Sequence, residues 1–162
     1  MVDRPFQNQV AIVTGAGQGI GFEICRQLAT QGACVVLNDV EGALAGDAAR
    51  AIAKESKGKC VAVAGDVSDA DFLHFLVQET VSQFGQVNIA IANPGITLFG
   101  DFLEYDAGDF NKVVNVNLGG TFFLAQAAAR QMKVQGPGGK LLFMSSVTGV
   151  QGHKNLAAYG MT

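Results

Sequence analysis

The chain has 162 residues, enough for one domain with a buried core. Apolar residues make up 49% of it and charged residues 15%, and the net charge is −3. That charged share is well under the usual value of about 25%, and the few Lys and Arg are scattered, so nucleic acid is not an expected partner.

The start, MVDRPFQNQV, has no apolar leader core, and no apolar run reaches the ~18 residues of a membrane span. These features point to a cytoplasmic protein with no membrane partner. Cys25, Cys34 and Cys60 are odd in number and match no metal or redox spacing, so they read as reduced core thiols. His74 and His153 stand alone, and no metal site is expected.

In chain order, VAIVT (10–14) reads as a first strand and 19–31 as a helix. CVVLND (34–39), a helix over 42–55 and CVAVAGD (60–66) follow. The helix over 69–84 places Leu73, Leu76, Val77, Val81 and Phe84 on one stripe behind Ser68 or Asp69 as N-cap. NIAIAN (88–93), a long helix over 109–134, a GPGG turn at 136–139 and KLLFMSS (140–146) complete the order. The strand runs are near-continuously apolar, which suits burial on both faces. Strands alternating with helices predict a doubly wound α/β fold, a parallel sheet with right-handed crossovers and helices on both faces. No repeat or linker divides residues 1–162, so they form one domain or part of one. A fifth strand with nothing after it to cover it would be an apolar edge.

The first strand runs into TGAGQGIG, Thr14 to Gly21, with four glycines in seven positions. Such a turn lets the backbone approach a ligand closely, and the helix that follows aims free N–H groups at it, so a pyrophosphate is the natural guest. Ile20 stands where GxGxxG has its third glycine; Gly15, Gly19 and Gly21 make GxxxGxG instead. Asp39, closing the second strand eighteen residues after Gly21, can accept from the ribose hydroxyls of NAD and would repel the 2′-phosphate of NADP. Its plainer role is to cap the helix at Gly42. Gln18 brings no cation to the turn, so NAD is expected over NADP. Asp66 and Val67 end the third strand and Asn93-Pro94-Gly95 the fourth, where an open parallel sheet has its ligand crevice; either could equally be loop-forming.

In the long helix the apolar stripe is Phe110, Val113, Val114, then Asn117, then Thr121 and Leu124. An amide on the buried face needs partners, whether a neighbouring backbone group or a ligand. Phe122 and Phe123 point to the opposite side, which suggests a subunit interface. Ser145-Ser146 end the fifth strand, and Tyr159 follows thirteen residues after Ser146, a spacing that permits a shared site without requiring one.

TGxxxGxG at 14–21, Asp39, Asp66-Val67, ANPG at 92–95, VNLGG at 116–120, Ser146 and Tyr159 together resemble the short-chain dehydrogenase/reductase family. The resemblance implies a Rossmann-like sheet in the order 3-2-1-4-5 and hydride transfer between NAD(P) and an alcohol or carbonyl substrate. It places Asn117, Ser146 and Tyr159 on the family's catalytic positions. Gly15, Gly19, Ile20, Asp39, Asp66, Val67 and Asn93 fall on cofactor contacts, with Gln18, Gly21 and Gly95 beside them. A homo-oligomer, dimer or tetramer, is expected for the full-length form. Ala92 and Pro94 depart from the family's NNAG.

The family's YxxxK motif is met through its first four places, Tyr159 to Thr162. The expectation is therefore an N-terminal portion of a family member, an incomplete NAD(P)-binding domain. A tyrosine titrates near ~10, so working near pH 7 demands roughly 3 units, about 4 kcal/mol of preferential phenolate stabilisation. In the family the lysine, with the oxidised nicotinamide, supplies it. A short non-catalytic dinucleotide-binding module is the alternative; another Rossmann-like class, such as a methyltransferase, would leave Ser146 and Tyr159 without a purpose.

Overall fold

The structure, a computed structural model, describes residues 4–56, 59–136 and 138–162. Met1–Asp3 of the polar start and Pro137 of the GPGG turn lie outside the described residues.

Five parallel strands form one sheet in the order β3-β2-β1-β4-β5: β1 Val10–Val13, β2 Cys34–Asp39, β3 Cys60–Ala64, β4 Ile89–Ala92 and β5 Lys140–Phe143. Between them run α1 Gly19–Thr30, α2 Gly42–Glu55, α3 Ala70–Phe84, α4 Ala107–Val113, α5 Gly120–Gln135 and, last, α6 Ala157–Gly160. The order reverses between β2-β1 and β1-β4, which opens a crevice beyond the carboxyl ends of β1 and β4. Among the described residues no helix is long and apolar enough to cross a membrane, and no cluster of His, Cys, Asp and Glu could hold a metal ion.

Successive strand residues serve opposite faces. Ala11, Val13, Val35, Leu37, Ile89 and Ile91 pack with α1 and α2, whereas Ile12, Val36, Val63, Ala90 and Ala92 pack with α3 and α5. Both faces of β1, β2 and β4 are therefore buried, as continuous apolar runs require. The two edge strands differ: Ala62 and Ala64 of β3 are exposed, and all of β5 is. Leu141, Leu142 and Phe143 lie on β5, at one end of the strand order of these 162 residues.

Several expectations need correction. β3 stops at Ala64 and β5 at Phe143, short of the predicted 66 and 146, because the crevice loops begin there. Ser146 is thus not a strand end but the N-cap of a 3₁₀ turn, Val147–Gly149. Cys25 and Cys60 are core thiols on the α1 face, whereas Cys34, opening β2, is half-buried. Burial pushes the Cys60 thiol up to about 12, and burial, then the nearby Cys60, pushes Cys25 up as well.

The α3 cap is Asp69, which accepts from Asp71 N at 2.9 Å and Phe72 N at 3.3 Å. The long helix starts at Ala107, two residues earlier than predicted, because Asp106 caps it by accepting from Asp109 N at 2.9 Å. Its middle, Val114–Gly119, is a π turn in which Gly120 N–H reaches back to Asn115 O. Val113, Asn117 and Leu124 are buried along its inner face, but Phe110 is exposed, since it sits in the first turn beyond the edge of the core. Phe122 and Phe123 are 57% and 40% exposed and meet edge to face at 5.3 Å.

Candidate active site

The glycine turn is clamped between β1 and β4. Thr14 is buried and its N–H donates to Ile91 O at 3.1 Å. Gly15 then takes φ 59°, and a Cβ there would stand 2.9 Å from Asn93 O and from Pro94 Cα. Asn93 Nδ2 donates to Gly15 O at 2.9 Å, locking the turn to the end of β4. Gly21 is buried behind it, where a Cβ would meet Gly15 O at 2.5 Å.

Gly19 also has positive φ, 62°, but faces open space. Gln18, exposed, holds the α1 N-cap position without a side-chain cap bond, and Ile20 is 65% exposed. At the end of β2, Asp39 Oδ2 accepts from Gly17 N at 2.9 Å and Oδ1 from Glu41 N at 3.2 Å. The N-cap of α2 is Glu41; Asp39 therefore braces the glycine turn rather than capping that helix. An open cradle at Gly19, an uncapped helix N-terminus and a carboxylate at the next strand end suit a diphosphate with a ribose beyond it.

Asp66 and Val67 lie on the β3 side. Asp66 is exposed and its Oδ1 accepts from Ser68 N at 2.8 Å, shaping the loop. Val67 is buried in the α3–α5 core, so close to α5 that a Cβ on Gly120 would meet its Cγ2 at 3.0 Å.

The remaining candidates converge. A pocket of 230 Å³ is lined by Ile20, Asn93, Gly95, Asn117, Ser146 and Tyr159. Ser146 Oγ accepts from Thr148 Oγ1 at 2.9 Å and Thr148 N at 3.3 Å. A hydroxyl has two acceptor positions and one proton, so the Ser146 O–H remains able to donate into the pocket. Tyr159, half-buried, rides on α6. That helix packs tightly on the Ser146 turn: a Cβ on Gly160 would stand 2.8 Å from Thr148 O. Asn117 is 7% exposed; its Oδ1 accepts from Ile96 N at 2.8 Å. Its Nδ2 donates to Ile96 O at 3.1 Å and Thr162 Oγ1 at 3.0 Å. The buried amide thus has the backbone partners that its position demands, and it also faces the pocket.

Three participants escape sequence reading: Thr148, Ile96 and Thr162. Only Thr148 carries a signal, a hydroxyl two residues after Ser146 in a pattern that forms tight turns. The contacts of Asn117 with Ile96 and Thr162 span twenty-one and forty-five residues, beyond any local pattern.

Known proteins resemble this chain in sequence and in fold. The short chain dehydrogenase family matches residues 9–162. A short-chain dehydrogenase/reductase of Armillaria gallica is 37% identical over 154 residues, 94% of this chain and 59% of the relative. An L-rhamnose 1-dehydrogenase (NAD(P)(+)) of Azotobacter vinelandii is 38% identical over 148 residues, 90% of this chain and 58% of the relative. The chain thus spans under two thirds of the length of these relatives. Among solved structures, a Serratia marcescens short-chain dehydrogenase/reductase F98L/F202L mutant superposes with a TM-score of 0.90 at 31% identity, covering 97% of this chain and 63% of the other. The family match starts one residue ahead of β1 and takes in every element described above, and the chain therefore belongs to the short-chain dehydrogenase family.

Proposed function

We propose that the protein is an NAD-preferring oxidoreductase that moves a hydride between the nicotinamide cofactor and an alcohol or carbonyl substrate. The observation that carries this reading is the meeting of Ser146 and Tyr159 on one pocket with Ile20 of the glycine turn. Gly15, Gln18, Gly19, Ile20 and Gly21 with the α1 N-terminus would hold the diphosphate, Asp39 the adenosine ribose, and Asn93 and Gly95 the nicotinamide side. Asp66 and Val67 would flank the adenine end. Bound NAD supplies the hydride acceptor, and NADH the donor.

Ser146 donates its free hydroxyl proton to the substrate oxygen and holds it in the pocket. The Tyr159 phenol oxygen takes the alcohol proton during oxidation and returns it during reduction. Asn117 ties the loop after β4 to the π turn, which fixes the wall between the two. Asp39 favours NAD, because a 2′-phosphate would meet its carboxylate. The exposed Phe122 and Phe123 support a homo-oligomer joined through α5, and the reduced core thiols support a cytosolic setting.

The test is NAD reduction by the full-length form, followed by nicotinamide absorbance, against a panel of sugars and simple and aromatic alcohols. Turnover expected with wild type and lost in Tyr159→Phe supports the reading. Tight NADH binding with no turnover on any alcohol or carbonyl would overturn it in favour of a binding module.

A further inference from the structure

The carboxyl end of β2 holds two loops at once. Asn38 accepts from Ala16 N with its backbone oxygen at 2.9 Å, and its side-chain Nδ2 donates to Val63 O and to Gly65 O, both at 3.0 Å. Asp39 does the converse: its Oδ2 accepts from Gly17 N, while its backbone oxygen accepts from Gly65 N at 3.1 Å. Each residue thus gives one group to the glycine turn and one to Gly65, the first residue past β3. A Cβ on Gly65 would stand 2.1 Å from Phe72 Cε2, so the Phe72 ring of α3 lies directly against it. Asp66 and Val67 follow next in the chain.

Asn38 is fully buried, and its Oδ1 has no hydrogen-bond partner among the described residues. Exchanging oxygen and nitrogen would set Oδ1 against two carbonyl oxygens, so the donor end belongs to Val63 and Gly65. A buried acceptor without a partner is costly, and a leucine of like size would not carry that cost. What favours the amide at this place is therefore the pair of carbonyls on Nδ2. The glycine turn has a second hold, Asn93 Nδ2 on Gly15 O. Between that turn and the Gly65 loop, the hydrogen bonds among the described residues run through Asn38 and Asp39.

We propose that Asn38 is a positioning residue, whose buried amide sets the place of the Gly65–Val67 loop against the glycine turn and so fits the site to the adenosine end of a dinucleotide. The consequence for binding rests on the cofactor reading above; the coupling of the two loops does not. Being fully buried, Asn38 acts through the loop that carries Asp66 and Val67 rather than by touching a ligand. Asn38→Leu keeps the volume and removes the donor, whereas Asn38→Ser keeps a hydroxyl too short to span both carbonyls.

The test uses the full-length form as wild type, Asn38→Leu and Asn38→Ser. In native-state hydrogen exchange, the Gly65 and Ala16 amides are expected to exchange about tenfold faster in Asn38→Leu. Thr14 N–H, bonded to Ile91 O at 3.1 Å, keeps its rate as internal reference. An unchanged rate at Gly65 or Ala16, or an equal acceleration at Thr14, overturns the proposal. Should Asn38→Leu fail to fold, Asn38→Ser is read at the same amides with the same expectation. In a second arm, fluorescence titration into the millimolar range compares NADH with reduced nicotinamide mononucleotide, which lacks the adenosine end. Asn38→Leu is expected to weaken NADH binding about tenfold and to leave that of the mononucleotide unchanged. Equal weakening of both, or of neither, overturns the positioning role. A wild type that binds no NADH refutes the cofactor reading, while the exchange arm still decides the coupling.

Discussion

Asp39 reaches from the end of β2 to the glycine turn, its Oδ2 accepting the Gly17 N–H at 2.9 Å. One carboxylate therefore braces the turn, and under the proposed oxidoreductase function it would also set the charge met by a nucleotide. Asp39→Ala is expected to lower stability by about 1.5–3 kcal/mol, the usual range for a hydrogen bond to a charged group, read from the urea midpoint. The same variant is expected to narrow the preference for NADH over NADPH by about tenfold or more, equivalent to ~1.4 kcal/mol, in a fluorescence titration. An unaltered preference would remove Asp39 from cofactor selection.

Ser146 has its acceptor positions filled by Thr148, which leaves its proton able to donate into the pocket. Ser146→Ala is expected to reduce kcat by roughly 10²–10³, as for loss of one preorganised donor to a reacting oxygen. Thr148→Val keeps the donor but frees its aim, and a smaller loss, about tenfold, is expected from steady-state rates. Equal losses in the two variants would mean that Ser146 acts through the turn alone.

Gly19 and Gly160 separate ligand space from packing space. A Cβ on Gly19 meets nothing within 4 Å, although φ is 62°. Gly19→Ala is thus expected to cost about 1 kcal/mol of stability through backbone strain while weakening NADH binding severalfold. Gly160→Ala drives a methyl against Thr148 O, 2.8 Å away. It is expected to displace α6 and cut turnover with little change in NADH affinity, which chemical denaturation and titration together would distinguish.

The thiols yield a pH dependence. Burial holds the Cys60 pKa near 12 in the folded protein, above the ~8.5 of an exposed thiol. The unfolded chain therefore releases this proton first as pH rises. The linked stabilisation is complete below about 8.5 and declines up to the folded value. Guanidinium midpoints should fall between pH 8 and pH 11, less so in Cys60→Ala. At pH 8 a disulfide reagent should react first with half-buried Cys34, and with all three cysteines only after unfolding.

Phe122 and Phe123 stand out from α5. If they carry a subunit contact, Phe122→Lys/Phe123→Lys should shift the sedimentation coefficient toward that of the monomer without altering the circular dichroism. An identical sedimentation profile would place any association elsewhere.

Much of the architecture is legible because its cause is local. β2 and α2 match their predicted bounds, since a continuous apolar run and a helix bounded by Glu41 and Ser56 announce themselves residue by residue. The strand ends at the crevice are not legible: Met144, Ser145 and Ser146 look like strand, yet ladder pairing ends at Phe143. The π turn leaves no mark in composition, because any helix-compatible residues can form it. The position of Asn117 on the inner face is legible from periodicity, but its partners Ile96 and Thr162 come from tertiary closure. Asp39 allows two local readings, and only the fold shows its carboxylate turned to Gly17.

The π turn between α4 and α5 has one more consequence. A helix advances about 100° per residue, so the surplus residue between Asn115 and Gly120 acts as a phase shifter in a rod that otherwise looks continuous. Removing it would leave every contact upstream in place and rotate the whole of α5, bringing Phe122 and Phe123 off the solvent side and turning Leu124 away from the sheet. The pocket and the outer aromatic face are thereby geared together: the same local unwinding that presents Asn117 inward decides which side of the molecule is offered outward.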